Sequence, residues 1–314
     1  MGSMTSLASS CSALATASAR PPSSATAAPG ATPSTVEITE HDARVGDLSL
    51  HYLRAGHGAP IVFLHGFAET GHMWRPALAA LAHGHTALAI DLPGTGGSSR
   101  PETGYDKKTM AREVRALVRL LGYHRIQLVG HDIGVMVAYA YAAQFPGEVD
   151  RLTLMDAFLP GVGAYQEMFL VPSLWHLHFH GASPAALVAG RERVYLEHFW
   201  NDLAADPRRS VPEADRALYA REYARPPGMR STMAYFAALE QDAADFAGFA
   251  RTPLTMPILA LGGEKSLGTF LAEQTELVGT HVTAVVIRDA GHWLMEEAPD
   301  RTLEELVKFL RARG

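Results

Sequence analysis

The segment Gly130-His131-Asp132-Ile133-Gly134 sets a carboxylate between two glycines, in the position that a G-x-S-x-G elbow gives to serine. A strand-to-helix turn that sharp needs small flanking residues. It presents its central side chain at the carboxyl edge of a sheet, beside a helix N-terminus that favours negative charge. The plainer role for Asp132 is a helix cap, common for this residue type. A carboxylate that attacks carbon forms an alkyl ester, so the substrate carbon must carry a leaving group, either an epoxide oxygen or a halide. His292, in Asp289-Ala290-Gly291-His292-Trp293, follows the last apolar run and would activate the water that hydrolyses the ester. The backbone N–H groups of Phe67, in His65-Gly66-Phe67, and of Ile133 would hold the oxyanion on Asp132. A simple turn allowed by Gly66 is the plainer account of the former.

Two carboxylates compete to orient the imidazole of His292. Asp156 follows the run 151–155 and Glu264 follows the run 258–261. Glu264 lies in Gly262-Gly263-Glu264-Lys265, where a solvated charge is the usual outcome. Met155, Ala157 and Phe158 flank Asp156 and keep it from water, so it needs a buried partner and is the preferred acid.

These side chains require elements that bring positions 67, 132, 156 and 292 together. Apolar runs at 48–52, 61–64, 87–90, 126–129, 151–155, 258–261 and 282–287 read as strands. Amphipathic stretches such as 107–121, 134–145 and 300–312 read as helices between them. Apolar strands alternating with helices predict an α/β fold, with a mostly parallel central sheet covered by helices on both faces. The series breaks between 158 and 250, where aromatics and histidines concentrate in a stretch too long for a loop. This stretch is expected to be an inserted helical cap over a core made of 36–157 and 251–314. A nucleophile early in the chain and a histidine late in it is the order of α/β-hydrolases.

With 33 acidic against 27 Lys and Arg residues among 314, the chain carries a net charge of −6. That balance argues against a nucleic-acid partner, which needs a basic face. A single cysteine, Cys11, excludes an internal disulfide and a cysteine-rich zinc site, and nothing in these residues calls for a metal or a cofactor. No run reaches the ~20 apolar residues of a membrane span. Met1-Gly2-Ser3-Met4 reads as a tag scar, and residues 5–35 are mostly Ser, Ala, Thr and Pro with one charge, Arg20. Such a segment buries too little to offset its ordering entropy and is expected to be disordered. Small residues ending at Ala19 look like a cleavage region, but the basic n-region of an export signal is missing.

From Val36 onward the chain resembles the epoxide hydrolases of the α/β-hydrolase fold, in particular their bacterial Cif type. The matching segments in the core include His65-Gly66-Phe67, Asp91-Leu92-Pro93-Gly94, His131-Asp132-Ile133-Gly134 and Leu154-Met155-Asp156-Ala157. Leu174-Trp175-His176, Leu196-Glu197-His198-Phe199 and Leu218-Tyr219-Ala220-Arg221 match in the cap, and Gly291-His292-Trp293-Leu294 matches near the end. The resemblance implies a small-molecule epoxide as partner, favours Asp156 as triad acid where relatives usually have Glu, and admits a homodimer. It also implies a secreted or periplasmic protein, against a cytoplasmic one if the N-terminal segment directs no export. Relatives hold the epoxide oxygen with two cap donors. His176 matches the first; the tyrosine expected as the second aligns with Phe236, which has no donor, and Tyr235 stands beside it. On a helix, neighbours point about 100° apart, so Tyr235 is the alternative second donor if it, in place of Phe236, faces Asp132. A dehalogenase using the same Asp-His-acid set is the alternative. Its usual Trp or Arg near the nucleophile is absent, since Ile133, Val135 and Val137 occupy that neighbourhood.

Overall fold

A computed structural model describes residues 36–312; the N-terminal segment 1–35 lies outside them. Eight strands form one sheet in the order β1-β2-β4-β3-β5-β6-β7-β8. The strands are β1 (Ile38–Val45), β2 (Leu48–Ala55), β3 (His57–Leu64), β4 (His83–Ile90), β5 (Ile126–His131), β6 (Val149–Met155), β7 (Ile258–Gly263) and β8 (Val282–Ile287). β2 runs antiparallel to both of its neighbours, and all other pairs are parallel. The sheet is the mostly parallel one that the strand pattern predicts, and the fold is the α/β-hydrolase fold expected from the chain order of Asp132 and His292.

Two departures from the sequence expectation have a common cause. β1 is half exposed, and its polar residues hide it from a search for apolar runs. β3 and β4 extend several residues before their apolar halves, through pairs such as His57 with His83 and Ala59 with His85. Backbone pairing at a sheet margin tolerates polar side chains that face water.

Helices α1 (Arg75–Leu81), α2 (Lys107–Leu120) and α3 (Ile133–Gln144) follow β3, β4 and β5. The inner face of α2 buries Met110, Val114, Leu117 and Val118 at helical spacing. α3 has almost no polar face, and its residues from Ile133 to Ala142 are all buried. A helix apolar all round must be covered all round. α3 is packed against α2, the sheet, and α8 of the insertion described next.

The chain leaves the sheet after Met155 and returns to it at Ile258. Between them lie 3-10 turns at Tyr165–Leu170 and Pro172–His178, then α4 (Ala182–Val188), α5 (Glu192–Asp202), α6 (Glu213–Ala224), α7 (Met229–Ala237) and α8 (Leu239–Phe249). Buried aromatic side chains fill this insertion, Trp200, Tyr219, Tyr223 and Tyr235 among them. A fully buried ion pair, Lys107 to Asp242 at 2.8 Å, joins α2 to α8. Removing one member alone would strand a buried charge. The rest of the sheet is covered by α9 (Phe270–Val278), α10 (Leu294–Glu297) and α11 (Pro299–Arg311). No helix among the described residues is long and apolar enough to cross a membrane.

The sheet register decides what meets at its carboxyl edge. Leu64 lies opposite Gly130, Gly130 opposite Leu154, and Met155 opposite Leu261. The loops carrying Phe67, Asp132, Asp156 and Ser266 therefore leave the sheet side by side.

Candidate active site

β5 ends at His131, and the next residue turns the chain into α3. Asp132 holds φ 50° and ψ −119°, a conformation that a non-glycine residue adopts only under constraint. The constraint is close packing of the two flanking glycines. A Cβ on Gly130 would lie 2.2 Å from the Gly134 carbonyl oxygen, and one on Gly134 would lie 2.2 Å from that of Leu64. The Asp132 side chain does not cap α3. Its Oδ1 accepts a hydrogen bond from the Phe67 amide at 2.7 Å, while Oδ2 lies 3.7 Å from His292 Nε2. Burial alone would raise the pKa of Asp132. His292, His131 and the amides of Phe67 and Ile133 outweigh burial and bring it below the ordinary carboxylate value.

On its other side His292 meets Asp156, with Nδ1 and Oδ2 2.8 Å apart. Asp156 is fully buried and accepts two further bonds, from the Gly263 amide at 2.8 Å and the Ser266 hydroxyl at 2.7 Å. Glu264 is not brought to the imidazole. It is exposed, accepts from the Asp289 amide at 3.1 Å and pairs with Lys265 at 3.2 Å.

Beneath this group lies a pair that sequence reasoning missed. His131 Nδ1 sits 3.1 Å from Glu69 Oε2, and its Nε2 lies 3.0 Å from the His292 carbonyl oxygen. Burial pushes His131 down, but the hydrogen bond and charge of Glu69 lift it to about 9, so it carries a proton at neutral pH. The available signal was the adjacency of His131 to Asp132; the partner, 62 residues away, had none.

Asp132 and His292 open into a chamber of ≈ 60 Å³. Its roof comes from the insertion. His176, 5% exposed, and Phe236 line it, their rings 5.4 Å apart, with Leu174, Leu177 and Leu239 beside them. Burial, reinforced by His198, pushes His176 down to about 3, so its imidazole is neutral. Phe236 also packs on Phe67 at 4.8 Å. Tyr235 turns away from the chamber: its hydroxyl donates to the Pro93 carbonyl, and its ring packs against Tyr105. The expectation that Tyr235 could supply the second donor is thereby corrected. The hydroxyl has a buried acceptor on the core side of α7, and the helix turns Phe236 inward in its place. Outside the chamber lies a groove of ≈ 750 Å³, and Leu177, Phe236 and Leu239 line both spaces.

The sequence profile of the alpha/beta hydrolase fold family matches residues 59–299. A soluble epoxide hydrolase from Corynebacterium sp. (strain C12) is 36% identical over 281 residues, 87% of this chain and 97% of that protein. The structure of epoxide hydrolase CorEH without ligand superposes with a TM-score of 0.82 at 34% identity, over 87% of this chain and 99% of that one. The Cif epoxide hydrolase from Acinetobacter nosocomialis shares the fold at a TM-score of 0.80 and 24% identity, over 89% of this chain and 90% of its own. A fluoroacetate dehalogenase from Burkholderia sp. is 34% identical over 142 residues, 43% of this chain and 46% of that protein.

Proposed function

The chain belongs to the alpha/beta hydrolase fold family and is an epoxide hydrolase, and from that premise we propose that it opens its substrate through an ester on Asp132. The observation that carries this reading is the division of the Asp132 carboxylate. Oδ1 is anchored on the Phe67 amide, and Oδ2 borders a chamber roofed by His176. In the first half-reaction Oδ2 attacks an epoxide carbon, the ring C–O bond breaks, and the leaving oxygen takes a hydrogen bond from the neutral imidazole of His176. In the second, His292 takes a proton from water, and the resulting hydroxide adds to the ester carbonyl of Asp132. Oδ1 becomes the oxyanion and already has the Phe67 amide as donor, with the Ile133 amide also acting on the Asp132 carboxylate. Asp156 holds His292 in the tautomer that leaves Nε2 free, and it stabilises the cation once formed. The tetrahedral intermediate collapses by breaking the bond between Cγ and Oδ2, the departing oxygen takes the proton from His292, and the Asp132 carboxyl left behind loses its proton to solvent as the diol leaves.

Release of a halide by the same carboxylate is favoured by one observation, the missing donor at Phe236. Against it, the described residues lining the chamber include no arginine and no tryptophan to hold a halide.

The two half-reactions separate in His292→Gln. Attack by Asp132 needs no base, whereas ester hydrolysis does. Incubated with an epoxide, this variant is expected to gain the mass of one intact substrate on the peptide carrying Asp132. An adduct on another peptide, or none, would refute the mechanism. An adduct formed only from haloacids, with loss of halide, would favour the dehalogenase.

A further inference from the structure

A neutral imidazole is a poor acid. If His176 gave its Nε2 proton to the opened epoxide oxygen and received nothing, it would be left as an imidazolate anion in an apolar chamber, which is costly. The structure supplies a neighbour at the other nitrogen. His176 Nδ1 lies 3.2 Å from Nε2 of His198 on α5, and His198 Nδ1 lies 2.8 Å from Oδ2 of Asp202, one helical turn on. Exposure rises along the row: His176 is 5% exposed, the His198 side chain 10% and that of Asp202 62%. The Trp175 ring covers the His198 ring at 4.7 Å. The ionisable groups facing His198 are Asp202 on its own helix and His176 from the turn Pro172–His178, with Asp132 and His292 beyond His176 at the chamber.

Resting on the epoxide reading above, we propose that Asp202, His198 and His176 form a relay that carries a proton from His198 toward the leaving oxygen. Two proton counts fit the distances, and their consequences are opposite. If His198 held one proton, on Nδ1 toward Asp202, its Nε2 would accept from His176 Nδ1, and His176 would present a bare lone pair to the chamber. If His198 holds two, one donates to the Asp202 carboxylate and the other to His176 Nδ1, which leaves Nε2–H of His176 for the substrate. Only the second count supports ring opening. As the Asp132–carbon bond forms and the ring C–O bond breaks, the oxygen takes the His176 Nε2 proton. His176 Nδ1 takes the Nε2 proton of His198, which is left neutral; the pair resets when a solvent proton enters at His176 Nε2 and Nδ1 returns its proton to His198. His176 stays uncharged through ring opening, as its burial requires. His198 acts through His176 and is a positioning residue.

The test is the rate of adduct formation in the His292→Gln background, followed by mass spectrometry against pH with 1,2-epoxybutane and styrene oxide. His198→Gln still donates an amide N–H but cannot pass on a proton. It is expected to slow ring opening at least about 10-fold and to abolish the fall in rate at alkaline pH. Asp202→Asn, at an exposed site, is expected to slow ring opening less than His198→Gln does, because it removes the acceptor that orients the His198 ring toward His176. Combined with His176→Phe, His198→Gln should add no further loss, since the relay ends at the missing imidazole. Decay of the ester in variants that retain His292 should be unchanged. Wild-type ring-opening rates and pH profiles in His198→Gln and Asp202→Asn, with His176→Phe impaired, would overturn the relay and leave the epoxide reading standing. Absence of adduct from either epoxide in the parent would overturn that reading and the relay with it.

Discussion

The floor and the roof of the chamber are built from different materials. On the floor, Asp156 accepts three hydrogen bonds, Asp132 is held by a backbone amide, and His292 lies between two carboxylates. These groups sit on strand ends and tight turns whose geometry the sheet register imposes. The roof is aromatic and aliphatic, carried on helices that meet the floor by packing, and His176 is its polar exception among the described lining residues. A hydrogen-bonded floor fixes a reaction because each group has one workable position. A packed roof decides which leaving group is helped, since one side chain there changes what the chamber offers.

The largest expected effect strikes the floor. Asp132→Ala should lower epoxide turnover at least about 10⁴-fold, because no other group in the chamber is placed to form the ester. Thermal denaturation should show a folded protein, as the side chain does not cap α3. Turnover near the wild-type rate would remove Asp132 from the mechanism. The next largest change comes from the roof. Phe236→Tyr adds a hydroxyl beside His176 and is expected to speed ring opening about 10-fold, the worth of one hydrogen bond of about 1.4 kcal/mol to the leaving oxygen. A slower variant in stopped-flow or single-turnover measurements would mean the roof works by exclusion of water, not by donation.

Tyr235→Phe sharpens the contrast, since it alters the same helix on the side that faces Pro93 and Tyr105 and not the chamber. It should cost about 1–3 kcal/mol of stability in urea titrations by leaving the Pro93 carbonyl unpaired, with ring opening within twofold of wild type. A large kinetic loss would return Tyr235 to the chamber. The smallest expected effect belongs to Glu264→Gln, which removes an exposed charge remote from His292 and should leave steady-state kinetics within twofold.

The sequence made the floor legible and the roof only partly so. Glycines around Asp132, apolar neighbours around Asp156 and the place of His292 after the last strand are local features, and local features can be read along a chain. The preference for Asp156 over Glu264 needed only their flanking residues, and the structure sets Asp156 against His292. β1 escaped because an edge strand needs no apolar run. Ser266 and Glu69 escaped because their partners, 110 and 62 residues away, are assigned by the fold. The i,i+4 spacing of His198 and Asp202 was visible, but the contact with His176 depends on how a 3-10 turn meets α5.

Leu177, Phe236 and Leu239 divide the chamber from the outer groove while lining both. A partition shared in this way couples the shapes of the two spaces. A substitution at Leu177, Phe236 or Leu239 that reshapes the chamber also reshapes the groove on its other side. Changes of specificity made at these three positions should therefore alter the outer groove as well, whereas those made at Ile133, Met136 or Leu203 should leave it as it is.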